Sequence, residues 1–191
     1  MQPNARRALT HLHKEILACT RCPLSRTRVT AVPGEGPADA EIMFVGEAPG
    51  RQEDAEGRPF VGAAGRLLGE LLALTGLRRD RVYITNVVKS RPTDRTDGSN
   101  RAPHAEEVAA CAPWLDQQLA IIQPRLIVTL GAYALSAFLP GKKVSKVHGR
   151  VFRSNGRTIL PLFHPAAALY GLRREILHRD FRRVQEVFAE I

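Results

Sequence analysis

A chain of 191 residues with 44% hydrophobic and 25% charged residues is most simply one soluble domain spanning 1–191, able to bury a core without disulfide support. No apolar run approaches the roughly 18 residues a membrane span requires, and the N-terminal stretch MQPNARRALTHLHKEI lacks the apolar core of a secretory signal, so a cytoplasmic protein without membrane contact is expected. Against 19 Asp and Glu stand 28 Lys and Arg, 23 of them arginine, leaving a net charge of +9; arginine's planar fork suits phosphate contacts, and a nucleic-acid partner is expected.

In chain order, a helix is expected around residues 5–18. The first β-prone run, Ile42–Val45, leads into the turn Gly46-Glu47-Ala48-Pro49-Gly50. Leucines 67, 68, 71, 72 and 74 form a helical stripe over Arg66–Thr75, closed by Gly76. The second run, Val82–Thr85, ends at Asn86, and the polar stretch Ser90–Pro103 is long enough for a functional loop. A helix over Ala105–Ile122 stops at Gln123-Pro124. The third run, Leu126–Leu130, meets Gly131 and a helix over Ala132–Leu139; the fourth, Ile159–Phe163, meets His164-Pro165; a last helix covers 174–190. Strands alternating with helices predict an α/β fold with a parallel sheet covered on both faces.

Ligands of open α/β sheets bind beyond the carboxyl ends of the strands. If these strands run parallel, Glu47, Asn86 and His164 converge on one edge. Each residue alone has an ordinary explanation as a cap or a turn former; the coincidence of three at equivalent strand ends points to a site. The P-loop pattern G-x-x-x-x-G-K-[ST] and the dinucleotide fingerprint G-x-G-x-x-G are both missing, which argues against phosphate-loop nucleotide and NAD binding.

Cys19-Thr20-Arg21-Cys22 is a C-x-x-C pair, with the third cysteine, Cys111, far downstream. In an intracellular protein such spacing suggests metal or redox chemistry rather than disulfides. A thioredoxin-like pair would follow a strand, and this one follows a helix. Zinc and iron–sulfur centres usually take four ligands, so three thiols leave one position open.

Taken together, Gly46–Gly65 (GEAPGRQEDAEGRPFVGAAG), YITNVVKSRP at Tyr83–Pro92, NRAP at Asn100–Pro103, C-x-P-W at Cys111–Trp114 and FHPA at Phe163–Ala166 resemble, in order, the motifs of the family 4 uracil-DNA glycosylases, the iron–sulfur type. The resemblance runs from Cys19 to the C-terminal helix. It implies a three-layer α/β/α sandwich around a four-stranded, mainly parallel sheet, and hydrolysis of the N-glycosidic bond of uracil in DNA. It also implies roles. Phe60 would stack on the flipped base, Asn86 would read its Watson–Crick edge, and Gly46 and Ala48 would line the pocket. His164 would donate to uracil O2, and Glu47 would stabilise the cation-like sugar and orient water, with Asn100 beside it. Glu53 would stand against uracil C5 and exclude the thymine methyl. A related branch uses a histidine to form a covalent bond to the sugar; Asn100 occupies that position here and His104 is displaced from it, so hydrolytic turnover is expected. Leu169 would act as an apolar wedge, with Arg173, Arg174, Lys142, Lys143 and Lys146 as phosphate contacts.

The family carries cysteine where Ser90 stands. Cys19, Cys22 and Cys111 are therefore expected to hold a [4Fe–4S] cluster whose fourth position is Ser90 or another non-cysteine donor, such as a histidine, Asp94 or water; a three-iron, labile or absent cluster is the alternative. A monomer acting on uracil-containing DNA is expected. Competing functions are a non-catalytic iron–sulfur protein that binds nucleic acid, a superfamily member with altered deaminated-base specificity, and a metal-dependent nuclease using Glu53 and Asp54.

Overall fold

The computed structural model describes residues 3–94 and 97–191. Five strands form one sheet: β1 (Ile42–Gly46), β2 (Tyr83–Asn86), β3 (Leu126–Leu130), β4 (Phe152–Ser154) and β5 (Arg157–Leu162). Their order is β2-β1-β3-β5-β4, with all pairings parallel except β4 against β5. The sheet therefore has one strand more than the four expected. The extra strand is formed by the hairpin into β5, whose turn residues Asn155 and Gly156 have φ of 49° and 72°. Two left-handed residues in a two-residue loop match the twist of antiparallel partners.

Strand residues alternate between the two faces, as their period of two dictates. Met43, Val45, Tyr83 and Ile127 pack beneath α1 (Pro3–Leu17) and α4 (Ala105–Ile122). Ile42, Phe44, Ile84, Val128 and Leu160 pack on the opposite face against α3 (Ala63–Leu74) and α7 (Arg174–Glu190). The result is the expected three-layer α/β/α arrangement. Leu67, Leu68, Leu71 and Leu72 of α3 are all buried; each such leucine contributes about 1.5–3 kcal/mol of apolar transfer. Gly76, at φ 65°, ends that helix by letting the Leu77 N–H reach back to Leu72 O at 3.0 Å. The short helices α2 (Arg51–Glu56), α5 (Ala132–Phe138) and α6 (Val144–Val147) complete the set; α2 and α6 are too brief for a periodic pattern to announce them.

The outer edge of β2 is covered. Glu35 exchanges both backbone hydrogen bonds with Ile84, at 2.9 and 2.8 Å, so the Pro33–Gly36 segment lies against that strand. At the other edge, β4 is three residues long. Among the described residues no helix is long and apolar enough to cross a membrane.

Candidate active site

The chain moves from β1 to β2 on one side of the sheet and returns to β3 on the other, which leaves a crevice beyond the carboxyl ends of the strands. A cleft of about 450 Å³ lies there, lined by Glu47, Ala48, Glu53, Phe60, Asn86, Asn100, His164 and Leu169 among others. Eight residues named from the sequence are thus brought together. Gly46 lies beneath them: a Cβ at this position would stand 2.4 Å from Asn86 Oδ1 and 2.6 Å from the Phe60 ring, so only glycine lets the amide and the ring approach this closely. Gly131, at φ 90°, serves His164 in the same way, since a Cβ there would lie 3.1 Å from the histidine Cβ.

His164 follows β5 by two residues, and its ring stacks on Phe60 at 5.5 Å between centroids. The Ala166 N–H donates to its Nδ1 at 3.2 Å, so the neutral ring carries its proton on Nε2. Burial lowers the His164 pKa to about 4, with the Glu53 carboxylate opposing part of that shift. The group is therefore a neutral N–H donor at physiological pH. Glu47 is half-buried, and desolvation raises its pKa above the ordinary carboxylate value.

Glu53 is pinned by backbone. Its Oε2 accepts from Gly50 N–H at 3.1 Å, and its Oε1 from Val61 N–H and Gly62 N–H at 2.9 and 2.8 Å. Asp54 is buried and faces another loop, accepting from Val29 and Thr30 N–H groups at 3.0–3.3 Å. The two adjacent carboxylates thus serve different segments, which removes the geometry a metal-dependent nuclease would need. Asn100 Oδ1 accepts from Arg91 Nε at 2.6 Å, which turns its NH₂ group toward the pocket side of the loop. Asn100 is accordingly a donor to the cleft.

Three contributors were missed in the sequence. Arg51 and Arg101 line the cleft, and Arg101 is held by a bidentate pair with the buried Glu107 at 2.8 and 2.6 Å. Tyr170 lines the rim beside Leu169 with 88% of its surface exposed; an aromatic residue closing AAALY, six residues after His164, was the available signal. Arg173, Arg174, Lys142, Lys143 and Lys146 lie outside the lining, as does His104 at the start of α4. Arg173 faces Glu175 at 3.5 Å, Arg174 faces Glu70 at 3.9 Å, and Lys142 sits over the Phe152 ring at 5.0 Å.

Under Asn86, the fully buried Lys89 Nζ donates to Thr85 Oγ1, Asn86 O and Gln118 Oε1 at 2.6–2.7 Å, while burial lowers its pKa to about 7. Gln118 continues to Tyr83 OH, which meets His13 Nε2. This network fixes the carbonyl of the Asn86 backbone and ties β2 to α4 and α1.

The thiols lie on the α1/α4 face, apart from the cleft. Cys111 is buried and Cys19 and Cys22 are half-buried against the same core. Burial raises the Cys111 thiol pKa; the Lys89 N–H, 3.5 Å from its sulfur, opposes this, and nearby Cys22 and Cys19 add to it. Trp114 Nε1 donates to Cys19 Sγ at 3.3 Å. Arg28 joins Ser90 to this segment, donating to Ser90 Oγ at 2.9 Å and to Leu17 O and Cys19 O at 3.0 and 2.8 Å. Among the described residues no group of three or more His, Cys, Asp or Glu gathers around a single ion point.

A family model described as the uracil DNA glycosylase superfamily matches residues 33–189. The type-4 uracil-DNA glycosylase of Sulfurisphaera tokodaii is 44% identical over 94% of this chain and 84% of its own length. That of Archaeoglobus fulgidus is 44% identical over 94% of this chain and 93% of its own length. The type-4 enzyme of Thermotoga maritima reaches 49% identity over 85% of this chain and 84% of its own length.

Proposed function

We propose a reaction for the cleft from one premise: the chain belongs to the uracil DNA glycosylase superfamily. It is a uracil-DNA glycosylase of DNA repair, hydrolysing the bond between uracil and deoxyribose and leaving an abasic site. The observation that carries this reading is the neutral His164, with its Nε2 proton free to donate, stacked on Phe60 in the cleft that also holds Asn86 and Glu47.

The base leaves the stack and lies on Phe60. Asn86 offers one donor and one acceptor, which match uracil O4 and N3–H; cytosine presents the opposite pair and is penalised. Glu53, tied to three backbone N–H groups, cannot swing aside for a methyl at C5, and so rejects thymine. As the bond breaks, charge gathers at uracil O2, where the His164 Nε2–H donates. Glu47 faces the cation-like sugar and takes the proton of the attacking water. Gly50 gives its N–H to Glu53 and Pro49 has none, which leaves Glu47 and Ala48 as the turn residues able to add backbone donors. Asn100 donates to the water or to a phosphate. No histidine stands in its place, so turnover is hydrolytic.

Leu169 fills the space the base vacates, and Tyr170 stacks on an adjacent unpaired base. Arg51 and Arg101 join Arg173, Arg174, Lys142, Lys143 and Lys146 as phosphate contacts. The chain works as a monomer of one domain in the cytoplasm. Purified protein in EDTA is expected to release uracil from U:G, U:A and single-stranded oligonucleotides without cutting the strand, and to leave T:G intact. Uracil retained in every context would defeat this function; release of hypoxanthine would broaden it, and metal-dependent scission would favour a nuclease.

Cys19, Cys22 and Cys111 would hold a [4Fe–4S] cluster, with the Ser90 hydroxyl as the candidate fourth donor. Held by these residues, such a group would tie the C-x-x-C segment to α4 and to the chain just beyond β2, and would serve structure rather than the reaction. The Arg28 cation beside Ser90 Oγ favours an anionic oxygen there. Anaerobically purified protein is expected to contain iron that air removes faster than it does from Ser90→Cys, whose thiolate completes the set. Equal iron content and equal decay of the visible absorbance in both proteins would exclude Ser90 as the weak position.

A further inference from the structure

We infer that Arg79, braced by Glu35, is a positioning residue that holds Phe60 in the conformation uracil stacking requires; this rests on the function proposed above. Phe60 has φ of 51°, in the left-handed region that non-glycine residues, above all bulky ones, rarely enter. Something must hold it there, and both peptide planes flanking its Cα are gripped. Arg79 Nη2 donates to Pro59 O at 2.5 Å and Nη1 to Phe60 O at 3.2 Å. On the far side of the second plane, Glu53 Oε1 accepts from the Val61 N–H at 2.9 Å. One peptide unit, from Phe60 O to Val61 N, is thus held at its oxygen by a cation and at its nitrogen by an anion. The first plane fixes φ and the second fixes ψ.

Arg79 is itself fixed. Its Nε donates to Glu35 Oε1 at 2.6 Å, and Arg58 Nε occupies the other carboxylate oxygen at 2.9 Å. Gly65 backs the arrangement, since a Cβ there would fall 2.0 Å from Phe60 O and the carbonyl has no room to turn over. The ring that this backbone carries is buried between Gly46 and His164. Relaxation of Phe60 to negative φ would swing its Cβ and take the ring out of that gap. Arg79 is not among the residues lining the cleft, so its effect on the base passes through Phe60.

The test is a double-mutant cycle with Arg79→Met and Phe60→Ala, read by single-turnover uracil release and by inhibition with free uracil. Arg79→Met is expected to slow release about 10–100-fold and to weaken uracil inhibition, as loss of a positioning contact does. In the Phe60→Ala background it should add nothing, because its route is already gone. Losses that multiply, or unchanged uracil inhibition, would overturn the role. Amide exchange at Val61 and Gly62 reads the clamp without substrate: faster exchange in Arg79→Met is expected, and unaltered exchange overturns the proposal even if wild type proves inactive on uracil. Wild type inactive with faster exchange in the variant defeats the proposed function and leaves the clamp. Should Arg79→Met not fold, Glu35→Gln is expected to move every reading in the same direction by less, and no movement overturns the role.

Discussion

Glu47→Gln is expected to lower the rate of uracil release by about 10²–10⁴-fold, the usual range for a general base, while leaving the protein at least as stable as wild type at pH 7. The two halves of that result have one cause. Burial raises the Glu47 pKa, so the folded state binds the proton more tightly than the unfolded chain. The stability this provides is present below the ordinary carboxylate pKa and is lost as pH rises through the raised value. At pH 7 the ionised side chain is a cost to the fold, and the neutral amide of nearly the same shape removes it. Single-turnover kinetics and thermal denaturation at pH 7 check both halves. Activity within a few-fold of wild type would remove Glu47 from the chemistry; a clear drop in melting temperature would make it structural. The raised pKa also shifts the acid limb of the wild-type pH–rate profile upward from the ordinary glutamate value, and Glu47→Gln should abolish that limb.

His164→Ala is expected to cost about 10²–10³ in rate, or roughly 3–4 kcal/mol, as loss of one donor to a developing oxyanion does. In the proposed role the donor is the neutral ring, because burial lowers the His164 pKa to about 4. The wild-type rate should therefore carry no inflection near the usual histidine pKa. An inflection there that disappears in His164→Ala would mean that the imidazolium is the donor. Stability gives a second reading. The folded pKa is depressed, so the unfolded chain binds the proton first as pH falls. Stability is thus lost between pH 6.5 and about 4, and His164→Ala should flatten the melting temperature across that window.

Much of the site was legible because the chemistry sits at strand ends, and strand ends are marked by a change from apolar runs to Gly, Asn and His. Glu47, Asn86 and His164 were placed in one cleft by that argument alone, and the bounds of α4 matched residue for residue despite Pro113 inside it. What stayed hidden was the support. Arg79 and Lys89 lie in stretches where a basic residue has every right to be solvated, and only the fold turns their donors onto the carbonyls of Phe60 and Asn86. Glu53 could be placed at the pocket from its motif, but its three backbone partners depend on how residues 50–62 close on themselves. Strand β4 was missed although Asn155-Gly156 announced a hairpin, because its three residues carry too little apolar signal to stand out.

The Pro33–Gly36 segment that pairs with the outside of β2 has a consequence for self-association. An open strand edge is a template for another chain, and this sheet leaves no long one: Glu35 occupies the hydrogen-bonding groups of Ile84, and the opposite edge is the brief β4. Among the described residues, a second copy therefore finds little open strand edge to pair with. The same Glu35 braces Arg79. Detaching this one segment would therefore uncover the edge of β2 and remove the brace on Arg79 in a single event.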